Sequence, residues 1–416
     1  MAKGFPAQMT MTYCPSRTPA RPVAAALAPL MAVVFVAFLV IGVAMPVLPL
    51  HVHDGLGFGP FMVGLVTGVQ FAASLVSRVW SGRTSDDRGP KLSVVIGLFA
   101  AVAAGLLYIL SLCFAGAPRI SISVLLAGRA VLGGAESFII TGATVWGFAR
   151  GGPQNAGKVI AWTGTAMFAA FAAGAPLGTA LYQRGGFAAV AWATALAPAA
   201  TLLLVAPLRA VAPEPKGNPT FLAVARQIWV PGFGAALSSI GFGAVVTFTS
   251  LLFVERGWSP IWLAFTAYAG ALICARLLFG HLPDAIGGAK VAVFCIAIEA
   301  AGLALIWLAS SGAVAAIGAA LTGLGYALVY PGFGVEAVRR APPQSRGLAM
   351  GAYSACLDVA LGIAGPALGV VASSAGLRAV FLVSAIVVAC SAAIALPLID
   401  RPSGRRPGKT PGPIVR

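Results

Sequence analysis

Three carboxylates stand in the middle of long apolar stretches: Glu136, Glu299 and Asp358. A carboxyl in a partly dewatered site is the side chain best suited to take up and release protons. Three arginines, Arg78, Arg129 and Arg276, also interrupt apolar runs. A charge placed there is costly and normally faces a cavity or a partner. Arg129 and Glu136 are seven residues apart, which on a helix puts them on one face, roughly 10 Å apart along the axis. Other chemistries lack their residues. The chain has no P-loop, GxSxG or HExxH, which argues against an ATP-driven pump and an intramembrane hydrolase. The six cysteines are scattered without a CxxC and read as reduced apolar residues. His51, His53 and Asp54 read as a polar loop after a helix end rather than a metal site. No metal and no cofactor is expected.

These groups must be held by elements that suit an unusual composition. Of 416 residues 59% are hydrophobic and only 9% charged, against roughly 25% charged in soluble domains. A hydrocarbon core about 30 Å thick needs roughly 20 apolar residues in a helix. Twelve such stretches occur, near 27–50, 60–82, 92–114, 121–146, 158–183, 187–207, 228–253, 260–280, 289–309, 313–334, 349–372 and 378–399. The shortest break separates the fifth from the sixth. An all-α membrane protein of twelve transmembrane helices follows. An even count places both tails on one side, and that side collects twenty Lys and Arg against four opposite. The excess marks it as cytoplasmic. The net charge of +16 is thus a topology signal with some attraction to anionic lipid, and no nucleic-acid partner is expected.

The spans repeat. At an offset of 198, Arg78 superposes on Arg276, Gly82 on Gly280, Asp86 on Asp284 and Gly89 on Gly287. At an offset of 190, Arg150 meets Arg340, Pro153–Gln154 meet Pro343–Gln344, Gly157 meets Gly347, Gly133 meets Gly323 and Pro176 meets Pro366. The first half therefore carries eight extra residues, placed around the connection between spans three and four. Two pseudo-symmetric six-helix halves, 24–208 and 228–399, are expected, joined by a cytoplasmic linker at 209–227. Such a repeat is the mark of transporters with a site between the halves. The Pro-, Gly- and Arg-rich tails 1–23 and 400–416 are expected to be disordered and cytoplasmic. Acid and aromatic positions break the symmetry: Glu136 pairs with Tyr326, and Asp358 with Phe168.

After the second span, Gly82, Asp86 and Gly89 follow the spacing G-x-x-x-D-x-x-G, closed by Lys91. This resembles the signature loop of the major facilitator superfamily, repeated at Gly280, Asp284 and Gly287. Asp87 stands where the family commonly has a base. In span four, Arg129 and Gly133 look like the family's R-x-x-x-G motif, and Gly174-Ala175-Pro176-Leu177-Gly178 is similar to its antiporter motif, with a counterpart at Gly365-Pro366-Ala367-Leu368-Gly369. Across nearly all the spans the chain looks most like the YhhS-type bacterial branch. The resemblance implies the major facilitator fold in a bacterial inner membrane. Helices one, four, seven and ten would line a cavity, flanked by two, five, eight and eleven.

The resemblance further implies a monomer that moves a small molecule, with protons as coupling ions and the bilayer as its surroundings. Asp358, Glu136 and Arg129 are the candidates for proton coupling. Gly82, Asp86, Gly89, Lys91, Gly280, Asp284, Gly287, Arg78 and Arg276 are candidates for the gates. Gly174, Pro176, Gly178, Gly365, Pro366 and Gly369 are candidate hinges, and Gln70, Phe138, Tyr326 and Tyr330 candidate cavity residues, with Trp146 beside them. Proton-coupled export is the leading expectation. A symporter importing a sugar or organic acid, and a transporter-like sensor or scaffold, are the alternatives.

Overall fold

The computed structural model describes residues 23–152, 155–212, 221–341 and 346–399. Both tails, part of the linker and the Pro-Gln pairs at 153–154 and 343–344 lie outside that set. The described chain is helical. α1 (Val23–Ala44) continues through Leu48–Leu50 into a π-helical turn, His51–Gly55. α2 is Pro60–Arg88, α3 Pro90–Leu112 and α4 Pro118–Gly151. The next helix, Ala156–Val205, leaves helical geometry at Gly185 and Gly186, where the latter has φ 60°. At 1.5 Å per residue a straight helix of that length would be more than twice as long as the membrane is thick. Lys91, at the start of α3, donates to the carbonyls of Ala206 and Leu208, and Arg150, at the end of α4, donates to that of Arg209. The chain has therefore turned back, making two crossings: α5 (156–184) and α6 (187–205). The short sequence break between spans five and six is a glycine hairpin.

In the second half α7 is Phe221–Glu255, α8 Leu263–Phe279, α9 Gly288–Leu308, α10 Gly312–Arg340, α11 Arg346–Ala375 and α12 Leu377–Ile399. Ten helices, counting α5 and α6 as one, are long and apolar enough to cross a membrane among the described residues, and α8 is a shorter apolar one. Large apolar side chains such as Phe99, Leu203, Phe294 and Ile363 point outward, where lipid rather than water meets them. Twelve crossings in two halves are the major facilitator fold.

Within each half the packing is the same: α1 on α5 and α4, α2 on α4, α3 on α4 and α6; then α7 on α11 and α10, α8 on α10, α9 on α10 and α12. The two sequence offsets predict even its atomic detail. Gly133 of α4 lies against the Gln70 backbone of α2, and Gly323 of α10 lies against that of Tyr268 of α8. Gly142 meets the carbonyl of Pro90, as Gly332 meets that of Gly288. In each case only a missing Cβ admits the neighbouring backbone. The eight extra residues are distributed rather than inserted in one loop. α3 is two residues longer than α9, its connection to α4 is 113–117 against 309–311, and α4 begins one turn earlier than α10.

One sequence expectation is corrected. Gly82 and Asp86 belong to no loop, because α2 runs through both to Arg88. Residues 83–88 contain neither Gly nor Pro, and Arg88 in the last turn complements the helix dipole. The turn falls at Gly89, with φ 95°, directly before Pro90. In the second half α8 stops at Phe279, and Leu282–Ile286 forms a separate short helix. Pro283 explains the earlier stop, since its ring would clash with the carbonyl of Phe279 in a continued helix. Gly287, with φ 104°, is the equivalent of Gly89. Asp284 lies in the short helix, and its side chain is outside the described residues.

The halves meet along two seams, α2 with α11 and α5 with α8. At the end opposite the basic loops α1 is buried on every side from Val40 to Val52, and α7 from Gly241 to Phe253. Towards the basic end both helices expose side chains, Ala28, Ala32, Trp229 and Phe233 among them. The bundle is thus sealed at one end and looser at the other.

Candidate functional site

The charged residues of the spans, Glu299 apart, lie at or beside the two seams. Arg78 of α2 donates its Nε to Asp358 Oδ2 of α11, a salt bridge that joins the halves. The arginine side chain is 27% exposed and the aspartate 9%, so the pair is not wholly sealed by protein. Beside it, Gln70 Nε2 of α2 donates to Glu136 Oε2 of α4 (2.8 Å). Glu136 lies within electrostatic reach of Asp358, Arg78 and Arg129. Tyr330 of α10 shares a hydrogen bond with Ser354 of α11 (2.9 Å) and feels Arg78, Asp358 and Arg276 alike. Residues from α2, α4, α10 and α11 therefore form one polar group.

Helical spacing explains why these side chains meet. Gln70, Ser74, Arg78 and Ser81 recur at three or four residues along α2, so they share a face. That face meets α4, where Ser137 and Thr141 bond Ser81 (3.1 and 3.3 Å). Arg129, two turns nearer the sealed end than Glu136, is buried and donates to the Val66 carbonyl (3.2 Å) and the Tyr108 hydroxyl (3.3 Å). Tyr108 carried no signal in the sequence, since a tyrosine in an apolar span is usually packing.

At the other seam Arg276 of α8 lies 5.1 Å from the ring centroid of Phe168 of α5. Its Nη2 donates to the Ala327 carbonyl at 3.4 Å, and its buried Nε has no partner among the described residues. Tyr326, Tyr330 and Tyr268 surround it. Rings continue from there: Phe168 to Phe171 (5.9 Å), Phe171 to Phe242 (6.4 Å) and Phe242 to Tyr326 (6.0 Å). Tyr326 also shares a hydrogen bond with Ser239 (3.2 Å). This aromatic floor, drawn from α5, α7 and α10, was visible in the sequence only at Tyr326 and in the pairing of Phe168 with Asp358.

Other candidate residues lie elsewhere. Glu299 is fully buried in α9, accepting from Ser238 of α7 (2.6 Å) with its second oxygen against Gly241. Phe138 is half-buried, and its carbonyl accepts from Ser93 (3.0 Å) of α3; among the described residues no ring contact joins it to the cluster. Trp146 is buried beneath Arg150, 5.1 Å from its ring centroid. Lys91 holds the end of α6 in its own half. No group of three His, Cys, Asp or Glu among the described residues could hold a metal. His51 instead stacks on Phe187, with centroids 4.0 Å apart.

The two Gly-Pro motifs sit in helices that stay continuous through Pro176 and Pro366. Gly174 and Gly178 face Gly42 and Val43 of α1, within the first half. Gly365 and Gly369 face Gly64 and Phe61 of α2, across the seam. At the offset of 190 the second pair corresponds to Ala175 and Thr179, one residue on. That step turns a helix by about 100°, so the same motif addresses a different neighbour in each half.

Residues 30–264 and 232–414 match the family described as Major Facilitator Superfamily. An uncharacterised MFS-type transporter of Salmonella typhimurium is 39% identical over 363 residues, covering 87% of this chain and 94% of that protein. Those of Pseudomonas aeruginosa (40% over 375 residues; 90% and 92%) and Burkholderia mallei (42% over 368 residues; 88% and 90%) are similarly close. Among solved structures, the human organic anion transporter MFSD10 superposes with a TM-score of 0.66 at 16% identity, and a point mutant of the nucleoside transporter NupG with 0.69 at 14%. Each covers 90% of this chain and 100% of the other. At those identities the likeness is one of fold.

Proposed function

The chain belongs to the Major Facilitator Superfamily and is a multi-pass membrane transporter of a small molecule, and from that premise we propose that it exports an organic compound, drug or metabolite in exchange for protons. The observation that carries this reading is the Arg78–Asp358 bridge, which joins the two halves at a point that protein does not wholly seal. A proton on Asp358 removes the charge that holds Arg78 and loosens the α2–α11 seam. Deprotonation restores the bridge. Glu136, one hydrogen bond from Gln70 and in reach of the same arginine, is the second proton site, and Arg129 fixes its field from the buried side. A proton thus acts on a contact between the halves, the two-state element that coupling requires.

Alternating access is the accompanying motion, with the halves rocking about the site. The sealed end around α1 and α7 supports an inward-facing state, if the basic end is cytoplasmic as the charge bias indicates. Gly89 and Gly287 then act at the cytoplasmic gates, and Gly64 with Gly365 at the outer one. The bacterial inner membrane, with the chain acting as a monomer, is the setting this reading takes.

The test uses everted membrane vesicles bearing the overproduced chain and a compound identified by growth of a deletion strain on toxic compounds and metabolite analogues. Adding that compound should collapse an imposed pH gradient. Asp358→Asn and Glu136→Gln should each abolish the collapse while leaving exchange of labelled for unlabelled compound intact. Unchanged proton-driven transport in both variants would sink the proposal.

A further inference from the structure

We infer that Arg276 is the receptor for an anionic group on the transported compound, an organic monoanion with a flat apolar body; this rests on the transporter reading above. The argument begins with charge balance. Arg78 is paired with Asp358, and Arg129 lies in reach of Glu136. Arg276 has no acid among its neighbours in the described residues: a ring, one long carbonyl contact and three tyrosines lie around it, and its Nε is unpartnered. Glu299 does not offset it, being wholly buried against α7 and bonded to Ser238.

The repeat shows why the acid is missing. Arg276 is the equivalent of Arg78, and Phe168 that of Asp358, so the second seam has kept its arginine and exchanged the carboxylate for a ring. A guanidinium has five donors in a rigid fork that fits a carboxylate, sulfonate or phosphate with two parallel hydrogen bonds. Buried donors left unmade are costly, and a ligand oxygen at Nε and Nη2 would satisfy them. The hydroxyl of Tyr330, in reach of Arg276 as well as of Arg78, offers a further donor.

The surroundings set the rest of the ligand. Phe168 and the rings of Phe171, Phe242 and Tyr326 continue from the guanidinium across both halves; they are buried against one another, and a flat apolar body that enters between the halves would stack on them. At the loose end Arg83, Arg88, Arg150, Lys158, Lys290, Arg339 and Arg340 outnumber Asp86, Asp87, Asp284 and Glu336, the last of which pairs with Arg339, and the net positive rim draws anions towards the opening.

Purified full-length protein in detergent, titrated calorimetrically with 1-naphthoate, neutral 1-naphthamide and cationic 1-naphthylmethylamine, tests this. Naphthoate should bind at least about tenfold more tightly than either analogue. Arg276→Gln should cost naphthoate about tenfold or more and leave the amide unchanged, with Arg276→Lys between. Phe168→Asp, which supplies the missing acid, should likewise remove naphthoate binding, and it carries the test if Arg276→Gln is not monodisperse. The inference is overturned if no probe binds, if the amide or amine binds as well as the acid, or if Arg276→Gln and Phe168→Asp leave naphthoate affinity within twofold. Loss of binding in Arg276→Gln with proton-driven transport intact in Asp358→Asn would leave the anion site standing and remove the coupling role of Asp358. The reverse pattern would do the opposite.

Discussion

The two seams between the halves occupy equivalent places in the repeat and are built from opposite materials. Along α2 and α11 the backbones approach until Gly64 touches Gly365 and Gly68 touches Gly362, and Arg78 bridges to Asp358. Along α5 and α8 the contact is made by Phe171 on Phe265 (6.3 Å), Thr266 to the Ala172 carbonyl (3.4 Å) and Arg276 over Phe168. One seam is close and ionic, and the other is spaced by rings. An ion pair can be released by a single proton, whereas an aromatic contact is indifferent to one. The repeat supplied two equal joints, and side-chain replacement made one ionic and the other aromatic.

The strongest way to break the comparison is at the bridge. Arg78→Ala should leave a buried carboxylate unpaired and cost about 3–5 kcal/mol, read as a lowered melting temperature in detergent. Replacing both partners, Arg78→Met with Asp358→Leu, should recover most of the loss. Equal losses in the single and double variants would show that the bridge does not hold the seam.

A smaller effect is expected at the glycine approach. Gly64→Ala places a methyl against the Gly365 backbone and should cost about 1–3 kcal/mol. It should also open the sealed end, so that a cysteine placed at Leu251, buried there in α7, reacts faster with a membrane-impermeant maleimide. Gly178→Ala, whose methyl would meet Val43 within one half, should destabilise without changing that reactivity.

The smallest effect belongs to the ring seam. Arg276→Ala removes a cation–π contact and one long hydrogen bond, about 0.5–2 kcal/mol on the same melting scale. A loss as large as that of Arg78→Ala would mean that the two seams bear load alike.

Much of the architecture was legible because it follows from periodicity and length. The offsets of 198 and 190 that align Arg78 with Arg276 and Gly133 with Gly323 also align the contacts those residues make. Less was legible at α2, where a polar stretch reads as a loop. The absence of a helix breaker before Gly89 extends the helix instead. The site was half visible: Glu136, Asp358 and the arginines announce themselves as charges in apolar runs, whereas Tyr108, Phe171 and Phe242 look like any other apolar filling.

The sequence by itself determined the twelve crossings, the two halves and the identity of the charged residues. Those depend on apolar length, repeat spacing and the cost of charge in hydrocarbon, all local to the chain. Only the tertiary structure decided which charge meets which. Arg78 and Asp358 are 280 residues apart, and a turn of one residue sends Gly365 to the opposite half while Gly174 stays within its own. Pairing of that kind rests on how helices rotate and cross when they pack, which no single segment encodes.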